Sequence, residues 1–503
     1  MMPAPRTTVP MHLDTLLAGV ADVPADVPVA DITLDSREVR TGALFIALRG
    51  NRTHGLEYLD DALQRGATAV AWEPAPGVTP PVLPAGVHGV AVPLLRERLG
   101  TVADRFFGSP SKSVATAAVT GTNGKTTVAW LVAGALEHLG KPCAYIGTLG
   151  TGRLPTPDTG GLTTPEVVTM HRLLAQARDE GTRHAVLEAS SHALAQARLA
   201  EVRVAVAAFT NLTPEHLDYH GDMRAYGAAK LGLFRHPGLR AAVVNVDDPY
   251  SEAVLAALPA GVSATRVSIA PAALPGPDRL CAKLMPESGP GLVLVVDAAG
   301  RRLTLNSRLV GAFNASNLLV ALGMLRALGV DADAAIRALS DARPPPGRMQ
   351  VFGGAGRKPL VVVDFAHTPD ALERALEALR AHRPAAHLTV VFGCGGERDA
   401  LKRPQMGAIA ARLADRVVLT DDNPRGEDPD VILAQIREGI PASASVSECR
   451  DRGQAIVDAV AGAGPEDVVL VAGKGHESVQ LVRGDARPFS DEAAVRAALE
   501  ARP

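Results

Sequence analysis

Thr120-Gly-Thr-Asn-Gly-Lys-Thr-Thr127 follows the apolar run Val114-Ala-Thr-Ala-Ala-Val119 and opens the apolar-periodic stretch Val128-Ala-Trp-Leu-Val-Ala-Gly-Ala-Leu136. Strand, glycine loop, Lys-Thr and helix in this order form a phosphate cradle. Loop amides and a helix N-terminus point at anionic oxygens, Lys125 adds positive charge, and a following threonine hydroxyl is placed to ligate magnesium. The full Walker pattern has a glycine where this chain has Val119, so the pattern is a shortened one supported by its strand–loop–helix context. A glycine-rich turn capped by threonine is the structural alternative.

Outward from this loop, short β-like runs alternate with Ala/Leu-rich helical patterns, which predicts an α/β protein with mostly parallel sheets. A chain of 503 residues is too long for one core. Ser109-Pro-Ser-Lys112 precedes the strand of the phosphate loop and reads as a hinge. Arg343-Pro-Pro-Pro-Gly-Arg348 is a second, because consecutive prolines neither continue a helix nor enter a central strand. The expected domains are therefore 1–112, 113–345 and 346–503: an N-terminal α/β domain, a central P-loop ATPase-type sheet and a C-terminal Rossmann-like α/β domain. Pro271-Ala-Ala-Leu-Pro-Gly-Pro277 reads as a surface loop.

Bulk composition narrows the partners. A net charge of −3 gives no basic field for nucleic acid and no polybasic patch for a membrane. Four scattered cysteines without a C-x-x-C motif suit a reducing compartment and argue against structural zinc. The N-terminal stretch from Met1 to Pro10 lacks the apolar core of a signal peptide, and no apolar run reaches spanning length. A cytoplasmic protein is expected, and a monomer, since no interface signature is present.

Polar residues gather after the phosphate loop. His184-Ala-Val-Leu-Glu-Ala-Ser-Ser-His192 is a strand ending in a polar loop, and Glu188 at such an end suits Mg²⁺, which prefers oxygen and uses few protein carboxylates. A second strand-to-loop unit runs from Val204 to Gly221 and concentrates Asn211, Glu215, His216, Asp218 and His220. A solvated loop with one or two capping residues is the plainer reading. Lys230, taken alone, reads as a helix lysine reaching to solvent.

Gly-Thr-Asn-Gly-Lys-Thr-Thr, Glu-x-Ser-Ser-His, Thr-Asn-Leu-x-x-x-His-Leu-Asp-Tyr-His-Gly and the lysine downstream resemble the Mur ligases, and the resemblance runs in order along essentially the whole chain. Those are cytoplasmic enzymes that build the stem peptide of peptidoglycan. The resemblance implies ATP-dependent amide ligation through an acyl-phosphate. It implies that Lys125, Glu188, His216 and Lys230 carry the catalysis, Lys230 as a carbamate, and that Thr126, Glu188, His216 and Lys230 organise Mg²⁺. ATP would be held by Gly121, Thr122, Asn123, Gly124, Lys125, Thr126, Thr127, Asn314, Asn317, Arg348 and Asp364. For Asn317, a capping or core amide is the alternative. An N-terminal UDP-binding domain is implied too, with Leu34, Ser36, Asn51, Arg52 and Thr53 on the nucleotide. Thr163, Thr164, Ser190, Gln196 and Arg198 would hold the remainder of a UDP-N-acetylmuramoyl-L-Ala-D-Glu acceptor. Gln196 and Arg198, two apart, point together from an extended segment and diverge on a helix.

The last block ends several strands in chemistry: Leu388–Phe392 before Gly393-Cys-Gly-Gly-Glu-Arg-Asp399, Arg416–Thr420 before Asp421-Asp-Asn-Pro-Arg425, and Asp467–Ala472 before Gly473-Lys-Gly-His-Glu477. If these strands are parallel, their carboxyl ends share one edge, where open α/β sheets bind ligands. Thr368-Pro369 signals a helix start, with an N-cap threonine and proline at the first position. Asp422-Asn-Pro-Arg425 resembles the signature of Mur ligases that add meso-diaminopimelate. By the same resemblance Arg398, Asp422, Asn423, Pro424, Arg425, Gly473 and Glu477 would contact that amino acid. Diaminopimelate differs from lysine by a second carboxylate, and an arginine binds a carboxylate bidentately. A lysine-adding relative, a folate-polyglutamating ligase and an ATP-gated binding protein without catalysis are the rival readings. Arg425 speaks against the first, Thr163-Thr-Pro165 with Asp422–Arg425 against the second, and the joint presence of Lys125, Glu188, His216 and Lys230 against the third.

Overall fold

The computed structural model describes residues 10–24, 26–50, 53–270, 278–285, 291–298 and 300–502. The loop expected at Pro271–Pro277 lies outside the described residues, as do Asn51 and Arg52. The chain forms two compact units, one of residues 1–125, 132–265 and 327–329, the other of 126–131, 266–326 and 330–503. Among the described residues, no helix is long and apolar enough to cross a membrane.

The first unit contains a four-stranded parallel sheet ordered Asp31–Thr33, Ala43–Ala47, Ala67–Trp72, His88–Ala91. Ile32, Leu44, Ile46, Ala69, Ala71 and Val90 turn to one face and bury against the apolar stripe Leu95, Leu99, Val102 and Phe106 of helix Leu95–Phe106. Val167, Val168 and Ala175 of helix Val167–Asp179 close the same core. Arg172 on that helix ties it to the sheet through the carbonyl of Ile32 (2.7 Å) and the carboxylate of Asp31 (2.8 Å).

The same unit holds the strands expected around the phosphate loop. Their order is Gly150–Arg153, Cys143–Gly147, His184–Glu188, Ala115–Thr120, Val204–Phe209, Ala241–Asn245, parallel except for the first pair. These strands are apolar on both faces because helices cover both, the rule for buried parallel sheets. Register decides the site: Glu188 stands opposite Val119 and Phe209 opposite Thr120, so three strand ends deliver their loops to one edge. The helix after the loop, Lys125–His138, starts three residues earlier than the apolar period alone suggests, with Gly124 at its N-cap.

In the second unit Arg279–Leu284, Leu292–Ala298 and Arg301–Ser307 form an antiparallel meander. A six-stranded sheet follows, ordered Gln350–Gly353, Leu360–Asp364, Val468–Ala472, Leu388–Phe392, Arg416–Leu419, Val446–Glu448, parallel but for its first strand. Successive residues alternate between two cores. Leu360, Val362, Val390, Phe392, Leu419 and Leu470 face helices Pro369–His382, Lys402–Leu413 and Pro429–Glu438. Val361, Val363, Val391, Val418, Val469 and Val471 face Arg452–Gly462 and Asp491–Glu500. The expected Rossmann-like layering and shared carboxyl edge are therefore present, and Thr368 caps its helix by accepting from the amide of Ala371 with Pro369 behind it.

One ion pair is sealed in the second of these cores. Arg452 meets Asp491 through Nε (2.7 Å) and Nη2 (2.8 Å), neither side chain exposed, and also donates to the carbonyl of Ala472 at a sheet end. Asp491→Ala leaves a buried guanidinium uncompensated and is expected to cost about 3–5 kcal/mol, read as a lower urea midpoint.

Candidate active site

The phosphate loop is shaped by glycine where nothing else fits. Gly121 has φ +147°, and a Cβ there would lie 1.9 Å from the Thr210 hydroxyl oxygen; Gly124 turns at φ +89°. The polar loop after Val204–Phe209 is the other wall of the cradle, which corrects the reading of Asn211 as part of a solvated loop. The Asn211 side chain accepts from the amide of Asn123 (2.9 Å) and donates to its carbonyl (3.1 Å), while Thr210 donates to that carbonyl at 2.6 Å. Thr122 donates to Thr213 and meets the Tyr226 hydroxyl at 3.1 Å. Thr210 is the first residue of the quoted Thr-Asn-Leu motif, and Tyr226 lies between that motif and Lys230, which are the signals that could have pointed to them.

Lys230 is not a helix lysine reaching to solvent. It is buried, its Nζ donates to the carbonyl of Gly121 at 2.8 Å, and it lies 4.4 Å from the centre of the Tyr226 ring. Lys125 donates to the same carbonyl at 3.0 Å and to that of Thr122 at 2.8 Å. Burial, and after it the neighbouring Lys125 charge, hold the Lys230 amine well below the ordinary lysine range. An ammonium is thus disfavoured where an amine is tolerated.

Glu188 is buried at its strand end. One oxygen accepts from the Tyr145 hydroxyl and the Thr148 amide (both 2.8 Å), the other from the Thr148 hydroxyl (3.1 Å). Gly147 is close by necessity, since a Cβ there would stand 2.3 Å from Glu188 Oε1. His216, with φ +56°, heads the short helix Leu217–His220 and packs its ring 4.6 Å from His192, which also touches Tyr219 and His220. Burial first, then the adjacent imidazoles, keeps His192 below the ordinary histidine range.

The proposed acceptor residues of the first unit join this edge. Thr164 donates to the carbonyl of Glu188 (2.6 Å) and receives the Ser190 amide (3.1 Å), and the Thr163 and Thr148 hydroxyls meet at 3.1 Å. Ser190 caps helix Ser191–Ala195. Gln196 and Arg198 point together because the helix has ended and Ala197 turns at φ +53°; Arg198 Nη2 donates to Gln196 at 2.7 Å and Nη1 to the Thr164 carbonyl at 2.8 Å. In the N-terminal sheet region Ser36 is buried and Leu34 packs against the core, while Thr53 is exposed.

In the second unit Asn314 and Asn317 are buried on helix Phe313–Ala327. Asn317 donates to Asn314, and Asn314 to the carbonyl of Val310, both at 2.8 Å, so the core-amide alternative accounts for these NH₂ groups. Arg348 stacks 4.7 Å over Phe365, and its Nε is buried with no hydrogen-bond partner among the described residues. Asp364 accepts from the amides of Met349 (2.7 Å) and Ala366 (2.8 Å). Burial raises the pKa of Asp364, and the Arg348 charge opposes that shift.

At the carboxyl edge of the C-terminal sheet the loops after Phe392, Leu419 and Ala472 converge. Asn423 is the junction: its Nδ2 donates to Glu477 (2.8 Å), and its Oδ1 accepts from Lys474 (3.0 Å) and the Leu481 amide (2.9 Å). Lys474, unassigned by the sequence reading although it stands inside Gly473–Glu477, is fully buried, 2.9 Å from Glu477 and 3.8 Å from Asp422. Burial raises the Asp422 carboxyl although Arg452 and Lys474 oppose it, and its Oδ1 has no hydrogen-bond partner among the described residues. Burial also acts upward on Glu477, but Lys474 and Asn423 bring it net below its ordinary range. Arg425 holds φ +55° and donates to the carbonyl of Gly396 at 2.8 Å; Arg398 is exposed on the neighbouring loop. Gly473, at φ +117°, faces Asp422. Lys474→Met removes the cation between two carboxylates. With Glu477 one-third exposed, this is expected to cost about 1–3 kcal/mol, measured by thermal unfolding.

Three segments of the chain match descriptions of one family: residues 119–325 the Mur ligase middle domain, 347–475 the Mur ligase, glutamate ligase domain, and 28–107 the Mur ligase family, catalytic domain. A UDP-N-acetylmuramoyl-L-alanyl-D-glutamate--2,6-diaminopimelate ligase from Acidovorax sp. (strain JS42) is 46% identical over 501 residues, 98% of this chain and 99% of the relative. The chain belongs to the Mur ligase family. A UDP-N-acetylmuramoyl-L-alanyl-D-glutamate--2,6-diaminopimelate ligase from Pseudomonas aeruginosa is 45% identical to this Mur ligase over 503 residues, covering 98% of this chain and 99% of the relative. A solved structure of a UDP-N-acetylmuramoyl-L-alanyl-D-glutamate--2,6-diaminopimelate ligase superposes with TM-score 0.70 at 34% identity, covering 98% and 99% of the two chains. MurF from Acinetobacter baumannii (TM-score 0.66, 18% identity, 98% and 99% covered) shares the fold, which is the three-domain α/β fold of the family.

Proposed function

We infer that this Mur ligase is an ATP-dependent amide ligase that adds meso-diaminopimelate to UDP-N-acetylmuramoyl-L-Ala-D-Glu in peptidoglycan precursor synthesis. The carrying observation is the C-terminal sheet edge. Two arginine-bearing loops stand there beside the buried Asp422, Asn423 and Lys474 and the part-exposed Glu477, which suits a ligand with a carboxylate and an ammonium on one carbon. The reaction has two steps. A carboxylate of the dipeptide attacks the γ-phosphorus of ATP, forming an acyl-phosphate and releasing ADP; the amine then attacks the acyl carbon, and the tetrahedral adduct expels phosphate as the amine loses its proton. Loop amides from Gly121 to Gly124 and Lys125 hold the phosphate oxygens. Asn314 and Asn317 take the nucleotide base, and Arg348 and Asp364 contact ATP from beyond the second hinge. Thr126 and Thr127 complete the loop side. Leu34, Ser36, Asn51, Arg52 and Thr53 hold the uridine diphosphate, and Thr163, Thr164, Ser190, Gln196 and Arg198 the rest of the acceptor.

Glu188, His216, Thr126 and a carbamylated Lys230 fit Mg²⁺ by donor chemistry, because a carbamate turns a buried amine beside Lys125 into anionic oxygen. Bound Mg²⁺ would neutralise charge on the phosphate oxygens. The domains divide near residues 112 and 345, and the enzyme works as a cytoplasmic monomer. Phosphate release with UDP-muramoyl-dipeptide and ATP tests the whole reading. Turnover is expected with meso-diaminopimelate and not with lysine or without amine. Equal rates with lysine overturn the amine assignment, and phosphate release independent of any amine overturns the ligase.

A further inference from the structure

The loops that carry Arg398 and Arg425 are joined from behind by one ion pair. Arg403, at the start of helix Lys402–Leu413 and wholly unexposed, forks onto Glu427: Nη1 to Oε1 at 2.5 Å and Nη2 to Oε2 at 2.8 Å. The same guanidinium donates to the carbonyl of Gly395 (3.1 Å) and to Gln435 (2.6 Å). Glu427 Oε2 also accepts the amide of Glu397, one residue before Arg398, at 2.9 Å. The pair thus grips both loops at once. The loops also touch directly: the amide of Gly396 donates to the carbonyl of Asn423 (2.9 Å), and a Cβ on Gly396 would lie 2.0 Å from the carbonyl oxygen of Pro424.

We propose that the Arg403–Glu427 pair is a positioning element for amine selection, fixing the two loops at the spacing in which Arg398 and Arg425 receive the carboxylate that distinguishes diaminopimelate from lysine. This rests on the reading that those arginines contact that carboxylate. Two guanidinium groups on adjacent loops repel each other and end long, rotatable side chains, so their mutual spacing has to come from the backbone beneath them. Arg403 supplies a planar fork and Glu427 a matching carboxylate, a pairing that fixes direction as well as distance. Recognition sites tolerate about 0.5 Å of misplacement, and a loop held only by its ends does not meet that. Neither residue needs to touch the substrate.

Glu427→Gln is the decisive variant, because it keeps the shape but sets an NH₂ group against donors from Arg403 or Glu397. The expected result is a KM for meso-diaminopimelate raised about tenfold or more, with kcat within about threefold and the KM values for ATP and UDP-muramoyl-dipeptide unchanged. Preference over lysine falls by the same factor. Arg403→Lys, which keeps charge but loses the fork, shifts in the same direction, and Glu427→Asp recovers part of the loss. An unchanged KM for diaminopimelate, or an equal rise in all three KM values, overturns the proposal. Arg425→Ala separates this failure from failure of the reading beneath it. Lost preference in Arg425→Ala, or in the Arg398→Ala, Arg425→Ala double variant, with none lost in Glu427→Gln overturns the positioning role alone; preference intact in all three overturns the carboxylate contact itself.

Discussion

Lys230→Ala is expected to lower kcat by about 10²–10³-fold, the scale seen when one group that stabilises transition-state charge is removed. The argument begins with the neighbours. Lys230 and Lys125 share the Gly121 carbonyl, and two ammonium groups at one acceptor are unfavourable in a buried setting. Burial and the Lys125 charge therefore favour the neutral amine of Lys230. A neutral amine adds to carbon dioxide to give a carbamate and a proton, which replaces the repulsion by attraction to Lys125. The amine form is present above the depressed pKa and is lost as pH falls through it. Activity should accordingly fall on acidification through the depressed pKa and rise when bicarbonate is supplied just above it. In Lys230→Ala the truncated side chain leaves room for a short carboxylate, so formate or acetate should restore part of the turnover without lowering KM for ATP. Full activity without rescue would remove the carbamate from the mechanism.

Legibility in the sequence followed the distance over which each feature is determined. The phosphate loop was readable because its requirements are local: a glycine at φ +147°, another at the helix cap, and a lysine one residue on. The parallel C-terminal sheet was readable because strands buried on both faces are continuous apolar runs and their loops carry Gly, Asp and Asn. What the sequence did not yield depends on long-range packing. Asn211 looked like loop polarity until its two bonds to Asn123 closed the cradle from another strand. Lys230 looked amphipathic on its own short helix and is buried because Gly121, far along the chain, receives its amine. Lys474 was in view as one letter of a motif, but its importance lies in Asn423 and Asp422, about fifty residues upstream. Gln196 and Arg198 turned on a single backbone angle at Ala197, which no periodicity encodes.

Arg425→Ala is expected to abolish most of the preference for meso-diaminopimelate over lysine. The backbone of Arg425 is held in the left-handed region by two bonds, its amide to the carbonyl of Leu481 (2.9 Å) and its carbonyl to the amide of Arg483 (2.6 Å). Such a conformation costs a non-glycine residue roughly 1–3 kcal/mol and persists where the surroundings impose it. Nη1 spends its reach on the carbonyl of Gly396, which orients the rest of the fork. When lysine binds, that fork loses the carboxylate for which it is aimed, and sites built on such a contact discriminate by roughly 10⁴-fold. Removing the fork removes the discrimination from one side only: kcat/KM for diaminopimelate should fall by about 10³-fold or more, whereas the poor turnover of lysine should change by less than about threefold. Arg425→Lys should behave almost as badly, because an ammonium keeps the charge but cannot bind a carboxylate bidentately. Thermal unfolding of both variants guards against a general loss of the loop. A preference that survives in a folded Arg425→Ala enzyme would transfer the selection to Arg398, and the Arg398→Ala, Arg425→Ala double variant would then show the collapse that the single one did not.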